Sequence, residues 1–281
     1  MGCGDITIGS QYDCTKPLQG GTRARLILIN FDDKLSETYG STPGLLTALA
    51  LKSGKTAYAF EGFRNSVTPT SEKLTSASGQ ALWKHQVNFF IYENTQTQKN
   101  NIEKLGNGKF IAIIQNSKSD EQAFEVLGLG NGLEMQDGAV NNKNENNGAY
   151  NIVLATGANQ GESKLPQTWF NTDFATTLAA VDALLYLPSI TNLSDIAYPA
   201  AGGDTVNVTG TNFYGGGTAS DVVSVKWINQ STQAETTQTS VTVSSTTALS
   251  FSTVALVAGT YKLKVTTSKG SALSAVNCTV T

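Results

Sequence analysis

The chain has 281 residues, of which 40% are hydrophobic and 15% charged. That is enough apolar surface to offset ordering entropy, and it excludes general disorder. The formal net charge is −3, and no run of Lys and Arg marks a phosphate-gripping surface, so tight nucleic-acid binding is not expected.

By segment, residues 1–187 carry 15 basic and 18 acidic side chains, and residues 188–281 carry 4 of each. The front of the chain therefore holds the whole net charge. No apolar run is long enough for a membrane helix. The start, MGCGDITIGSQYD, has neither the basic nor the apolar region of a secretory signal, so none is expected there. Cys3, Cys14 and Cys278 are too few for a disulfide framework, and reduced thiols are expected.

Residues 1–23 are polar and Gly-rich and read as an arm. LILIN after Arg25 reads as a buried strand. GLLTALALKSGKTAYAFEGF reads as two strands joined by a hairpin at Ser53–Gly54. SVTPTSEKLT and QALWKHQVNFFIYE follow, the second with Leu82, Val87, Phe89 and Ile91 opposing polar neighbours. Thr95–Leu105 reads as a short amphipathic helix with Ile102 and Leu105 on one face and Gly106 ending it. Gly108–Asn116 reads as a buried strand, and 124–135 as a strand pair or one bulged strand with Gly at the bends. AYNIVLAT and KLPQTWF read as further strands. Thr172 is expected to cap a helix through DFATTLAAVDALLYL, with Asp173 in its first turn and Pro188 ending it.

Beyond Pro188 the composition changes to short alternating runs of Val, Thr, Ser and Gly. The stretch contains Pro188-Ser-Ile190-Thr-Asn-Leu193, Gly202-Gly203-Asp-Thr-Val206-Asn-Val208-Thr-Gly210-Thr-Asn-Phe213, Val223-Ser-Val225-Lys-Trp227 and Gly259-Thr-Tyr261-Lys-Leu-Lys-Val265. On these residues it resembles an immunoglobulin-like domain of the IPT/TIG type, which implies a β-sandwich. Gly202–Gly203 suits a turn, Val206 and Val208 alternate inward, Gly210 permits a kink and Phe213 plugs the core. A Pro soon after Leu193 is missing, and Tyr198-Pro199 comes later. Trp227 reads as a buried strand residue in preference to a ligand platform.

Residues 24–187 resemble the major tail tube proteins of tailed bacteriophages. The arm, the strand-rich body with one helix at 95–105, the 124–135 segment, the polar 141–147 loop, Ala149–Leu154 and Lys164–Phe170 carry this resemblance. It implies a tail-tube-like β-sandwich or barrel with one or two helices, mainly β throughout. It further implies hexameric rings of this chain stacked into a tube that meets other tail proteins and passes DNA without holding it. The domains then read as an arm at 1–23, a tube domain at 24–187 and an outward decoration at 188–281, assembled in the host cytoplasm into a virion. Polar arms and Asn-rich loops order against neighbours, which makes Asp137, Asn141, Asn142, Asn144 and Asn147 the candidate assembly residues. Glu125 and Glu134, charged within strand-like runs, are the candidate lumen-facing residues, with a solvent face or a cross-strand Lys as the plainer alternative for each. A mildly acidic wall would repel DNA.

The chemistry expected of an enzyme is missing. His85 is the one histidine, so no two-His metal site can form, and it reads as a surface or pairing residue. No Gly-x-Ser-x-Gly elbow surrounds Ser10. Asp32 and Asp33 are adjacent and read as solvating a loop. Gly128-Leu-Gly130-Asn-Gly132 lacks the Lys-Ser/Thr pair of a phosphate loop and reads as strand bulges. The oxygen-rich 137–147 stretch does not match a calcium-loop spacing. No cofactor, no metal and no membrane partner are expected. The rival to a tail protein is a bacterial surface or secreted binding protein whose immunoglobulin-like module contacts carbohydrate or acts as a spacer.

Overall fold

The computed structural model describes residues 21–63, 65–75, 81–138, 148–158 and 160–281. Its front part contains β1 (Thr22–Asn30), a 3₁₀ turn (Phe31–Asp33), β2 (Lys34–Tyr39), β3 (Leu46–Leu51), β4 (Tyr58–Glu61), β5 (Thr68–Thr75) and β6 (Ala81–Ile91). Then come α1 (Gln96–Gly106), β7 (Lys109–Asn116), β8 (Phe124–Leu127), β9 (Leu133–Met135), β10 (Tyr150–Ala155), β11 (Gln167–Thr168) and α2 (Phe174–Ala183).

The strands β1 and β7 form the spine. Their apolar runs are continuous because both of their faces are buried. Leu26 and Leu28 of β1, with Phe110, Ala112 and Ile114 of β7, face one core, which also holds Val87, Phe89, Ile152 and Leu154 and is closed by Ile102 and Leu105 of α1. Ile27, Ile29, Ile111 and Ile113 face a second core, against Leu46 and Leu49 of β3, Trp169, and Val181 of α2. Emptying either side of such a strand removes contacts that a neighbour cannot easily replace; Leu28→Ala belongs to a class costing about 2–5 kcal/mol.

On one side of β7 lies β1, which in turn carries β4. On the other side β8 and β9 lie end to end. Leu127 pairs with Ala112 and Leu133 with Phe110, so residues 128–132 stand against the single residue Ile111. The 124–135 stretch is thus one strand interrupted by a wide bulge. From β9 the sheet continues through β10 and β6 to β5, and β11 extends from β8. Among the described residues the result is an open nine-stranded sheet whose edges include β4 and β5.

The Ser53–Gly54 hairpin does not form. β3 pairs with β2, and β4 pairs with β1. The linking segment is used elsewhere: Ala57 N–H donates to Leu184 O at 2.9 Å, and Thr56 Oγ1 donates to Leu184 O and Leu185 O. It therefore ties down the end of α2. The cap of α2 is Asp173, whose carboxylate accepts from Thr176 N–H at 2.7 Å, and not Thr172, which sits in the left-handed region. Thr95, expected as the first residue of helix α1, is instead its N-cap, and the C-cap is Asn107, one residue past Gly106. The strand expected in KLPQTWF shrinks to the two residues of β11, bounded by Pro166, which has no N–H to donate.

The C-terminal part is an immunoglobulin-like β-sandwich. It contains β12 (Ser189–Leu193), β13 (Ala197–Tyr198), β14 (Thr205–Thr211), β15 (Val222–Asn229), β16 (Glu235–Thr237), β17 (Thr239–Ser245), β18 (Ala248–Ser252), β19 (Gly259–Thr267), β20 (Gly270–Leu273) and β21 (Cys278–Val280). One sheet runs β12-β14-β18-β17, the other β13-β21-β19-β15-β16 with β20 on β19. Strict alternation puts Val206, Val208, Leu249, Phe251, Trp227, Leu263 and Val265 into one core. Trp227 is 1% exposed, between Tyr198 and Phe251. The role of Gly210 is clearance: a Cβ there would lie 1.9 Å from Ser189 O of the neighbouring strand. The late Tyr198-Pro199 ends β13, which leaves the first sheet and pairs in parallel with β21 of the second.

Candidate functional site

The place where buried polar groups converge is the bulge at Gly128–Gly132. Gly128 and Gly132 both take positive φ, at 70° and 73°. A Cβ on Gly132 would lie 2.3 Å from Lys109 Cγ, so the bulge needs glycine for close approach as well as for conformation. Breaking the ladder frees backbone groups that sheet pairing would otherwise satisfy, and buried amides must find other partners.

Two side chains supply those partners. His85 on β6 is 3% exposed. Its Nδ1 accepts from Gly128 N–H at 3.2 Å, and its Nε2 lies 2.9 Å from Lys164 O. The first contact requires a bare Nδ1, so Nε2 carries the proton and donates to the carbonyl. The ring is neutral, and burial pulls its pKa down to about 4. Glu162 is 6% exposed and is held on β6 by a two-way backbone bridge to Trp83, both bonds 2.8 Å. Its carboxylate accepts from Asn131 N–H at 2.8 Å and from Gly130 N–H at 3.1 Å. Burial raises its pKa, opposed by these amides and by the charge of Lys34. Lys34 Nζ itself donates to Leu129 O at 2.9 Å and pairs with Glu37 at 3.0 Å.

Beside these groups is a cavity of about 140 Å³ whose lining includes Glu37, Tyr39, Lys164 and Gln167. The Lys164 ammonium sits 5.3 Å from the Tyr39 ring centre. Every polar atom of His85 and Glu162 is committed to backbone, so neither is poised to move a proton to a substrate. The arrangement is a clamp on the bulge. His85, expected at the surface or in a pair, is instead buried because β6 must present an acceptor to Gly128. Glu162 drew no attention in the sequence, where its distance of about thirty residues from the amides it binds hides the contact.

The other candidates lie apart. Glu125 on β8 stands opposite Ile114 and next but one to Leu127, so it shares the face of the first core and lines a polar groove with Lys118 and Thr168. Glu134 on β9 stands opposite Lys109 and pairs with it at 2.9 Å. Its neighbours Leu133 and Met135 pack on the first core, so Glu134 points to the opposite face. The two glutamates therefore do not share one sheet face. Asp137 is exposed on a bend after β9, and Asn141, Asn142, Asn144 and Asn147 lie outside the described residues. Asp33 is buried and ion-paired with Lys55 at 2.9 Å, while Asp32 is exposed. Among the described residues no group of three His, Cys, Asp or Glu side chains could hold a metal ion, and no helix is long and apolar enough to cross a membrane.

Residues 188–281 match the family model described as IPT/TIG domain. No curated protein matches the chain significantly. Among solved structures, the mouse coronavirus receptor-binding domain complexed with its murine receptor aligns at 8% identity, covering 92% of this chain and 85% of that one, with a TM-score of 0.20. The Bacteroides ovatus protein SGBP-B of the mixed-linkage glucan utilization locus, in complex with a mixed-linkage heptasaccharide, aligns at 11% identity, covering 88% and 69%, with a TM-score of 0.21. Superpositions this poor carry no argument about either fold or function.

Proposed function

We propose that this chain is a structural subunit of a phage tail. Residues 24–187 build stacked rings around a passage for DNA, and the IPT/TIG domain decorates their outside. The observation that carries this reading is the open nine-stranded sheet, whose β4 and β5 have, among the described residues, no strand on their outer side. An unpaired edge invites another chain, and head-to-tail contacts between identical chains close into rings or run into filaments. A passive role suits the buried histidine and glutamate, which serve backbone amides. The subunit's partners are then copies of itself and other tail proteins, its place is the virion, and it is not an enzyme.

Electron microscopy and sedimentation of the purified full chain test this. Rings or hollow tubes of uniform width are expected. A protein that stays monomeric across the accessible concentration range would overturn the reading.

A further inference from the structure

Between β4 and the last turn of α1 the first core opens to solvent through a cleft of about 320 Å³. Its apolar floor is Leu28, Phe60, Leu105 and Phe110, Tyr58 forms a wall, and Lys104 stands at the rim. Lys104 is exposed and makes no ion pair among the described residues.

Among the described residues no strand pairs with the outer edge of β4, which runs beside this cleft, and its hydrogen-bonding phase is fixed. Gly62 N–H donates to Ala24 O at 2.8 Å, and the register sets Glu61 against Arg25. In an antiparallel pair, hydrogen-bonded positions alternate. Tyr58 and Phe60 therefore turn their backbone groups toward β1, and Ala59 and Glu61 turn theirs outward. The two edges also differ in protection. β5 carries Pro69 and Lys73, residues that discourage pairing, whereas β4 reads Tyr-Ala-Phe-Glu and has neither.

We propose that edge and cleft together bind an extended peptide carrying a bulky apolar residue and, two positions on, an acidic one. The peptide adds as a strand to β4 and bonds the outward groups of Ala59 and Glu61. Tyr58 and Phe60 stand opposite Leu28 and Leu26 and so face the core. Alternate residues of the added strand lie beside them on the same face, over the cleft. One fills it, and the next on that face meets Lys104. Backbone bonds supply affinity and the cleft supplies selectivity. The site is complete within one chain; it assigns the β4 edge to the peptide and leaves β5 as the edge through which copies of the chain would join, so peptide binding by the monomeric fraction and tube formation are measured separately.

The probe is a fluorescein-labelled Thr-Thr-Phe-Thr-Asp-Thr-Thr, followed by anisotropy with the full chain. A peptide of the same composition, Thr-Thr-Phe-Asp-Thr-Thr-Thr, puts its acid on the opposite face. Saturable binding of the first is expected, with the second weaker by ~2–5-fold. Ala59→Pro removes an outward N–H and no bond to β1, and should weaken binding at least ~10-fold. Lys104→Glu should weaken it ~2–5-fold. If Ala59→Pro lowers the melting temperature, Lys104→Glu and the swapped peptide decide alone. No saturable binding at millimolar peptide overturns the proposal, as does binding indifferent to Lys104→Glu and to residue order. Self-association that Ala59→Pro abolishes, without peptide binding, also overturns it and assigns the edge to a second copy.

Discussion

Lowering the pH from 7 to 4 should loosen the Gly128–Gly132 clamp through one residue, His85. In the folded chain its pKa lies at about 4, against an ordinary 6.5. The unfolded chain therefore takes up the proton first. The contribution is intact above pH 6.5, erodes as pH falls, and is gone below about 4. The gap corresponds to about 3 kcal/mol, of which about 2 kcal/mol is lost by pH 5. The mechanism is local. A protonated Nδ1 can no longer accept from Gly128 N–H, and it sets two donors face to face in a buried space. The surrounding charges are Glu37, Glu162, Lys34 and Lys164, with Tyr39 between them. Glu162 works in the other direction. Its raised pKa means that its stabilising form is the protonated one, fully present below about 4.5 and lost as pH rises through the folded value, so it partly offsets the loss at His85.

Urea unfolding at half-unit steps between pH 7 and 4 measures the sum, and His85→Gln isolates the histidine. Glutamine keeps an acceptor for Gly128 but does not titrate. The variant should start less stable at pH 7 and lose less on acidification, so the two curves converge by about 2–3 kcal/mol toward pH 4. Parallel curves would refute the reasoning, because they would mean that another group carries the dependence.

Two further outcomes follow from the same geometry. Glu162→Gln keeps an acceptor for Gly130 and Asn131 while removing a buried charge and the offset it gives to His85, so stability at pH 7 should be unchanged or higher and should fall more steeply on acidification in urea titrations; a loss above about 2 kcal/mol at pH 7 would contradict the raised pKa. Gly210→Ala places a methyl 1.9 Å from Ser189 O and should cost about 1–3 kcal/mol, read as a lower melting temperature of the C-terminal domain, while a neutral effect would show that β12 shifts freely.

Much of the architecture could be read from local pattern. The runs LILI and FIAII announced buried strands, and β1 and β7 are those strands, packed on both faces. The alternation of Val206, Val208, Trp227, Leu263 and Val265 marked a sandwich core. The short helix was legible because its apolar face, Ile102 and Leu105, lies within a few residues, while the cap by Thr95 was not read. What failed was pairing over distance. Leu46–Leu51 and Tyr58–Glu61 look like a hairpin because a Gly turn separates them, yet each found a better partner. β4 gained the edge of β1 while Thr56 and Ala57 tied down the end of α2.

The clamp shows why buried polar sites resist such reading. Its three parts, His85, Gly128–Gly132 and Glu162, each carry a bland local explanation: a strand histidine, a glycine-rich bulge and a loop carboxylate. Their meaning comes from an accounting rule that acts only in three dimensions. Five residues facing one leave backbone N–H groups without ladder partners, and burial makes each unpaired one costly. An acceptor must then arrive from elsewhere in the chain, and β6 and the bridge at Trp83 deliver two. The glycines thus signalled a demand for acceptors, while the residues meeting it could be named only once β6 lay beside the bulge. By the same reasoning Glu134, which answers Lys109 directly across a ladder, was recognisable as a cross-strand pair as soon as the register was known.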